Sequence, residues 1–330
     1  MNESHWSTQK ERAAGYWNMR MMLLIFRLLP VTFMRLIAFP LGFFYFLFSK
    51  AAREFSRSYL NRIDELRREL DQVWTDKKRP RKKRLSSLSH FISFALSLVD
   101  KVEAWGGKAL HNRISYCNDD TGDLIARLES GQGAVLISSH LGNMEFIRAL
   151  AGLNRTGLSG GITVNAIVDL KVTANFNRML NELNPQSAMR LINVSDMGPD
   201  TMILLAQRLC AGELIVIAGD RTGSNSGSRN LSLPFLGAQA PFPYGPFLLA
   251  ALLNAPIYAV FALRQKEFSL NSGFLLHIHK SSLSFDCSRS EREARIMELV
   301  SWFVSYLQQY CQKHPYQWYN FFNFWKEPAV

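Results

Sequence analysis

The chain of 330 residues is poor in cysteine, with Cys117, Cys210, Cys287 and Cys311 far apart and none in a CxxC pair. That spacing argues against a disulfide frame or a structural zinc site and fits a reducing compartment. No GxSxG elbow surrounds Ser138 or Ser139 at the strand end, so neither reads as a strained, activated nucleophile. Zinc-finger spacing and an RNP-like aromatic signature are also missing, so no nucleic-acid partner is expected. The chain has neither an internal repeat nor a low-complexity linker. Acidic residues are outnumbered, 27 against 38 Lys and Arg, for a formal charge of +11. Such a balance favours an anionic partner: a phospholipid surface, nucleic acid or an acidic carrier protein.

The apolar N-terminal segment lacks a long uncharged run too. Residues 21–48 are nearly all apolar, but Arg27 and Arg35 interrupt them. The longest uncharged stretch of this segment, Leu36 to Ser49, falls short of the roughly 20 residues that a membrane-crossing helix needs. The opening also lacks a short charged leader with a small-residue cleavage site, so a cleaved signal peptide is not expected.

What the chain has instead is apolar and aromatic bulk: 48% hydrophobic residues, including 23 Phe and 7 Trp. Arg20, Arg27 and Arg35 recur at a spacing that puts them on one helical face. Pro30 and Pro40 predict two short apolar helices, an interfacial or re-entrant membrane anchor, with a buried helical hairpin as the alternative. Downstream, "KKRPRKKR" from Lys77 to Arg84 reads as a solvated loop, a nucleic-acid patch or, beside an apolar anchor, a patch for anionic lipid headgroups, with nucleic acid the lesser option.

Three segments are expected: a membrane-associated helical segment over 1–50, a basic helical connector over 51–122, and an α/β domain over 123–330. Helical spacing marks 84–105, 142–153, 173–183, 200–212, 246–255 and 292–311. Short apolar runs predict strands at 133–140, 162–169, 189–196, 213–220, 256–265 and 274–285. Helices alternating with apolar strands predict an αβα sandwich around a largely parallel sheet. Chemistry in such sheets sits in loops at strand C-terminal ends, where His140 and Asp220 both fall.

In "SSHLGNMEF" His140 ends a strand and Glu145 lies just inside the next helix, with Gly142 allowing a tight turn between them. Glu145 reaching back to a ring nitrogen would fix the imidazole tautomer and raise its basicity. A His beside a helix start is as often a simple cap, so spacing alone leaves both readings open. His277 and His279 share a strand face but lack a third ligand, so no metal is expected. The aromatic cluster from Trp318 to Trp325 either packs the core or rims a pocket.

Several blocks in fixed order carry a resemblance across nearly the whole chain: "HWSTQKERAAGYW", the apolar segment, "LISSHLGNMEF", "GDRTG" at 219–223, "LPFLGAQAPFPYGPFLLAALLNAPIY" and "PYQWYNFFNFW". The chain resembles the lysophospholipid acyltransferase superfamily, and within it the bacterial lipid A late acyltransferases (lauroyl and myristoyl transferases). It is most similar to a related group of predicted acyltransferases found beside aryl polyene and other lipid biosynthesis genes. The resemblance implies that His140 is the catalytic base and Glu145 its carboxylate partner. Asp220 and Arg221 match the acid-plus-polar block of a later strand end, although the lipid A enzymes often carry Gln where Arg221 stands. Arg178 in "NFNRML" corresponds to a phosphate-binding arginine, and Pro256 closes a family block in a structural role.

The implied function is O-acyl transfer from acyl carrier protein or acyl-CoA to a hydroxyl of a lipid acceptor. That acceptor would be lipid A-like, a lysophospholipid, a glycolipid or an aryl polyene lipid. The expected place is the cytoplasmic face of a bacterial inner membrane, on an anionic surface. No cofactor is expected beyond the acyl donor as co-substrate. The competing reading is a catalytically silent protein that binds or carries membrane lipid on the same fold.

Overall fold

A computed structural model describes residues 29–73, 84–105, 113–117, 120–147, 162–169, 189–222 and 229–325. These include seven α-helices and nine strands. The N-terminal helices are α1 (Val31–Phe48), α2 (Lys50–Val73) and α3 (Ser87–Trp105). After β1 (Ile114–Tyr116) and α4 (Thr121–Glu129) come β2 (Ala134–Ser138), β3 (Val164–Val168) and β4 (Met189–Asn193). Then follow α5 (Pro199–Cys210), β5 (Leu214–Ala218), β6 (Asn230–Phe235), β7 (Ala238–Pro243) and α6 (Gly245–Leu253). The C-terminal part holds β8 (Ile257–Arg264), β9 (Phe274–Lys280) and α7 (Arg289–Lys313).

The main sheet has seven strands in the order β1-β9-β8-β2-β5-β3-β4. All its pairs are parallel except β8 with β9, so the sheet is mostly parallel with a reversed edge. Every residue of β2 and β8 is buried. Val135 and Ile137 face one apolar cluster with Phe247 and Phe303, while Leu136 faces the other with Leu124 and Phe146. Burial on both faces is why these strands read as continuous apolar runs rather than as alternation. The strand β1 precedes residue 123, and α2 contributes Tyr59, Leu60 and Ile63 to the larger core, so the 51–122 segment builds part of this body.

The structure departs from the expectation of two short N-terminal helices, because α1 runs unbroken through Pro40. Pro40 is exposed, so its missing N–H and its ring lie on the outer side of the helix, away from α3. The inner stripe, Arg35, Ala38 and Gly42, packs on α3 at helical spacing. A Cβ on Gly42 would sit 2.9 Å from Ile92 Cα, so only glycine permits this approach. Arg35, expected to interrupt an apolar face, is 2% exposed. Its guanidinium bonds Asp100 Oδ1 at 3.0 and 3.2 Å, the Leu270 carbonyl at 2.8 Å, and Glu103. The outer face of α1 keeps Phe33, Leu36, Leu41, Phe44, Leu47 and Phe48 exposed. It is the one described helix long and apolar enough to cross a membrane.

Other differences are local. The helix expected over 142–153 begins as a 3-10 turn, Met144–Ile147; its remainder and the helix expected over 173–183 lie outside the described residues. So do Arg20, Arg27, Arg178 and the basic run other than Arg84, which donates to Asn61 Oδ1 at 3.1 Å. The hairpin β6–β7 was not expected. It turns on Leu236 and Gly237, both at positive φ, and a leucine there carries no turn signal. At α7 the start is a capping box between Ser288 and Glu291.

Candidate active site

In β2 and β5 the register pairs Ser138 with Ala218, and Gly219 N–H donates to the Ser138 carbonyl at 2.8 Å. His140 and Asp220 therefore leave adjacent parallel strands at the same height, two residues beyond each end. Their side chains meet: His140 Nδ1 lies 2.8 Å from Asp220 Oδ1. The second carboxylate oxygen, Oδ2, accepts from the His140 backbone N–H at 2.8 Å and from the Trp318 indole N–H at 3.1 Å. Asp220 is 1% exposed and the His140 side chain 30%, so a buried acid holds a base that solvent can reach.

The turn after His140 is held by backbone bonds. Gly142 has φ 75°, and a Cβ there would lie 2.0 Å from the Ala262 carbonyl oxygen. Its N–H donates to the Gln317 carbonyl at 2.8 Å, and the Asn143 N–H donates to the Ala262 carbonyl at 2.9 Å. These bonds bring the C-terminal segment against the strand ends and set Trp318 beside Asp220. Behind Trp318, its carbonyl is 2.9 Å from His90 Nε2, and His90 Nδ1 is 3.0 Å from Ser56 Oγ. A buried polar chain thus runs from α2 through α3 to the carboxylate.

The partner of Nδ1 is therefore Asp220, and not Glu145, the carboxylate partner that the resemblance implied. The parallel register puts residue 220 alongside residue 140. Glu145, meanwhile, lies on the 3-10 helix Met144–Ile147, and its backbone N–H donates to Asn143 Oδ1 at 3.2 Å. Glu145 lies within electrostatic reach of Lys101, on the α3 segment that packs against this turn. Arg221 follows Asp220, and its guanidinium stands over the Phe322 ring at 5.4 Å. Sequence reasoning named His140, Asp220, Arg221 and Glu145 but missed Lys101, for which no motif exists. It also left Trp318 in an undifferentiated aromatic cluster.

Charge in the site is finely opposed. Burial pushes the His140 pKa below its usual value, the Arg221 cation adds to that, and Asp220 opposes both without overcoming them. The imidazole is thus neutral at neutral pH, with Nδ1 engaged and Nε2 left to accept a proton. Burial alone would raise the Asp220 carboxyl. The His140 ring and backbone bonds outweigh it and hold Asp220 below the usual carboxylate range. Burial also lowers the Lys101 amine, against the pull of Glu145.

His277 and His279 are elsewhere, on β9: His279 Nε2 is 2.7 Å from the Tyr310 hydroxyl, and His277 Nε2 is 4.0 Å from Cys117 Sγ. Among the described residues no group of three His, Cys, Asp or Glu side chains is placed to hold a metal ion.

A family model described as bacterial lipid A biosynthesis acyltransferase matches residues 7–327. The chain belongs to that family. Membership in the lipid A acyltransferases makes acyl transfer to a lipid the supported activity, with an acyl donor and a lipid acceptor as substrates. No curated protein matches the chain.

Proposed function

We propose that this lipid A acyltransferase family member transfers an acyl chain directly from acyl carrier protein or acyl-CoA to a lipid hydroxyl, with His140 as general base. His140 Nε2 takes the hydroxyl proton as the oxygen attacks the thioester carbonyl carbon and the new C–O bond forms. The tetrahedral intermediate then collapses, the C–S bond breaks, and the proton passes from the imidazolium to the departing sulfur. Asp220 fixes the ring tautomer and stabilises the imidazolium, as a buried carboxylate does for a base. Arg221 and Lys101 supply positive charge next to the base, where the oxyanion or a phosphate of the acceptor would lie. Glu145 balances Lys101. The step calls for no resident cofactor.

The observation that carries this reading is the triple donation to Asp220, which orients one half-buried imidazole at the strand ends. A carrier that only binds lipid has no use for such a base. The outer face of α1 gives the membrane contact. With its inner face ion-paired to α3, α1 lies along the membrane surface rather than crossing it, on the cytoplasmic face of a bacterial inner membrane. Arg178 remains a proposed acceptor-phosphate ligand on the resemblance alone.

The test compares membrane lipids by mass spectrometry from cells making the wild-type protein or His140→Ala, at equal membrane levels. A lipid that gains one acyl mass only with the wild type identifies the acceptor and makes His140 the working base. Identical profiles in cells holding the native pathway would favour the silent lipid-binding reading.

A further inference from the structure

The corner between α1 and α2 forms a cavity of about 380 Å³ lined by Phe46, Leu47, Lys50, Arg53, Glu54 and Arg57. Residues 50, 53, 54 and 57 share one face of α2 by helical spacing, so three cations and one acid converge on the opening. Arg53 is built into the wall. Its guanidinium donates to the Phe46 and Leu47 carbonyls in the last turn of α1 and lies 5.3 Å from the Phe46 ring centroid. Lys50 and Arg57 flank it on the exposed surface. The other wall is apolar, because Leu47 and Phe48 continue into the exposed face of α1, and Phe48 is 82% exposed.

We propose that this corner is a binding site for an anionic membrane phospholipid, distinct from the substrate site at His140. The phosphate sits among Lys50, Arg53 and Arg57, and the acyl chains lie along Phe44, Leu47 and Phe48. Charge complementarity selects the headgroup: a net positive pocket touching a lipid-sized apolar face suits an amphiphile with a phosphate at one end. The size is in the range of small-ligand sites. A nucleic acid would leave the apolar wall unused. With α1 held flat on the protein body by the Arg35 ion pairs, the cations at its end lie at the headgroup level of the leaflet that its outer face meets. Bound lipid would therefore fix the height and tilt of the enzyme on the membrane. The proposal rests on the membrane-facing reading of α1 and not on the chemistry of His140.

The experiment uses the full chain and vesicles of phosphatidylcholine, with and without phosphatidylglycerol, and measures the preference for the anionic vesicles by flotation. Lys50→Glu with Arg57→Glu is compared with a control reversal at exposed, distant positions, Arg289→Glu with Lys313→Glu. The neutral pair Lys50→Gln with Arg57→Gln is the milder second variant, and thermal melting checks the fold of each. The site variants are expected to lose roughly tenfold or more of the preference, and the control to lose about twofold or less. Unchanged preference in both site variants overturns the proposal. An equal loss in the control also overturns it, since bulk charge then suffices. His140→Ala should keep the full preference whatever it does to acyl transfer, so this proposal and the catalytic one fail separately.

Discussion

At the scale of single residues, the central question is how a neutral imidazole is kept in one orientation within a half-buried site. Asp220 does this by receiving three N–H groups, one of them from His140's own backbone. Asp220→Asn removes the charge that stabilises the imidazolium and can present its NH2 to the wrong ring tautomer. A fall in transfer rate of about 10² to 10⁴ is expected, read as kcat on a purified enzyme with unchanged melting. Trp318→Phe keeps an aromatic side chain but loses the donor together with part of the indole, so the expected loss, in a variant whose melting is checked, is smaller, about tenfold, in kcat rather than KM. Burial, and after it the Arg221 cation, lowers the His140 pKa, so the acidic limb of the wild-type pH–rate profile should lie below the ordinary histidine value of 6.5. Removing that cation in Arg221→Gln should move the limb upward. An unmoved limb in a folded, active variant would mean that another group governs it.

At the scale of elements, α3 joins the outer helix to the site. It meets α1 at Gly42, neutralises Arg35 through Asp100 and Glu103, and reaches Trp318 through His90. Gly42→Leu would push a side chain into the α3 backbone, at a cost of about 1–3 kcal/mol for overpacking. Lower melting and faster proteolysis at the α1–α2 junction would report it. His90 gives an acid-stability signature. Burial drives its pKa down from 6.5 to about 4, so the folded state holds it neutral while the unfolded chain can protonate. Its contribution is therefore fully present above pH 6.5 and is lost as pH falls from 6.5 towards 4, up to about 3 kcal/mol. The midpoints of denaturant melts should fall as pH is lowered across that range, and His90→Phe should flatten that pH dependence. A variant with the wild-type slope would assign the acid lability to another group.

At the scale of the whole molecule, a basic α/β body carries one helix whose outer face is apolar and whose inner face is bonded to the body. Phe44→Glu with Phe48→Glu changes only exposed positions. Membrane recovery after cell fractionation is expected to fall several-fold while melting stays close to wild type. Recovery at the wild-type level would place the membrane contact elsewhere on the protein.

The sequence by itself determined the alternation of helices and strands, since strands buried on both faces must be apolar throughout and helices keep their own period. It also marked His140 and Asp220 as strand-end residues, and the family blocks around them. Local pattern could not determine which carboxylate meets the imidazole, because Glu145 is near in the chain while Asp220 is near only through the register of β2 with β5. Nor could it reveal Trp318 or Lys101, which arrive from distant segments. The single helix through Pro40 and the burial of Arg35 were decided by tertiary packing, which turned the proline outward and supplied Asp100 and Glu103. Chain neighbours and periodicity are local quantities. Partners across parallel strands and packed helices exist only once the sheet has closed.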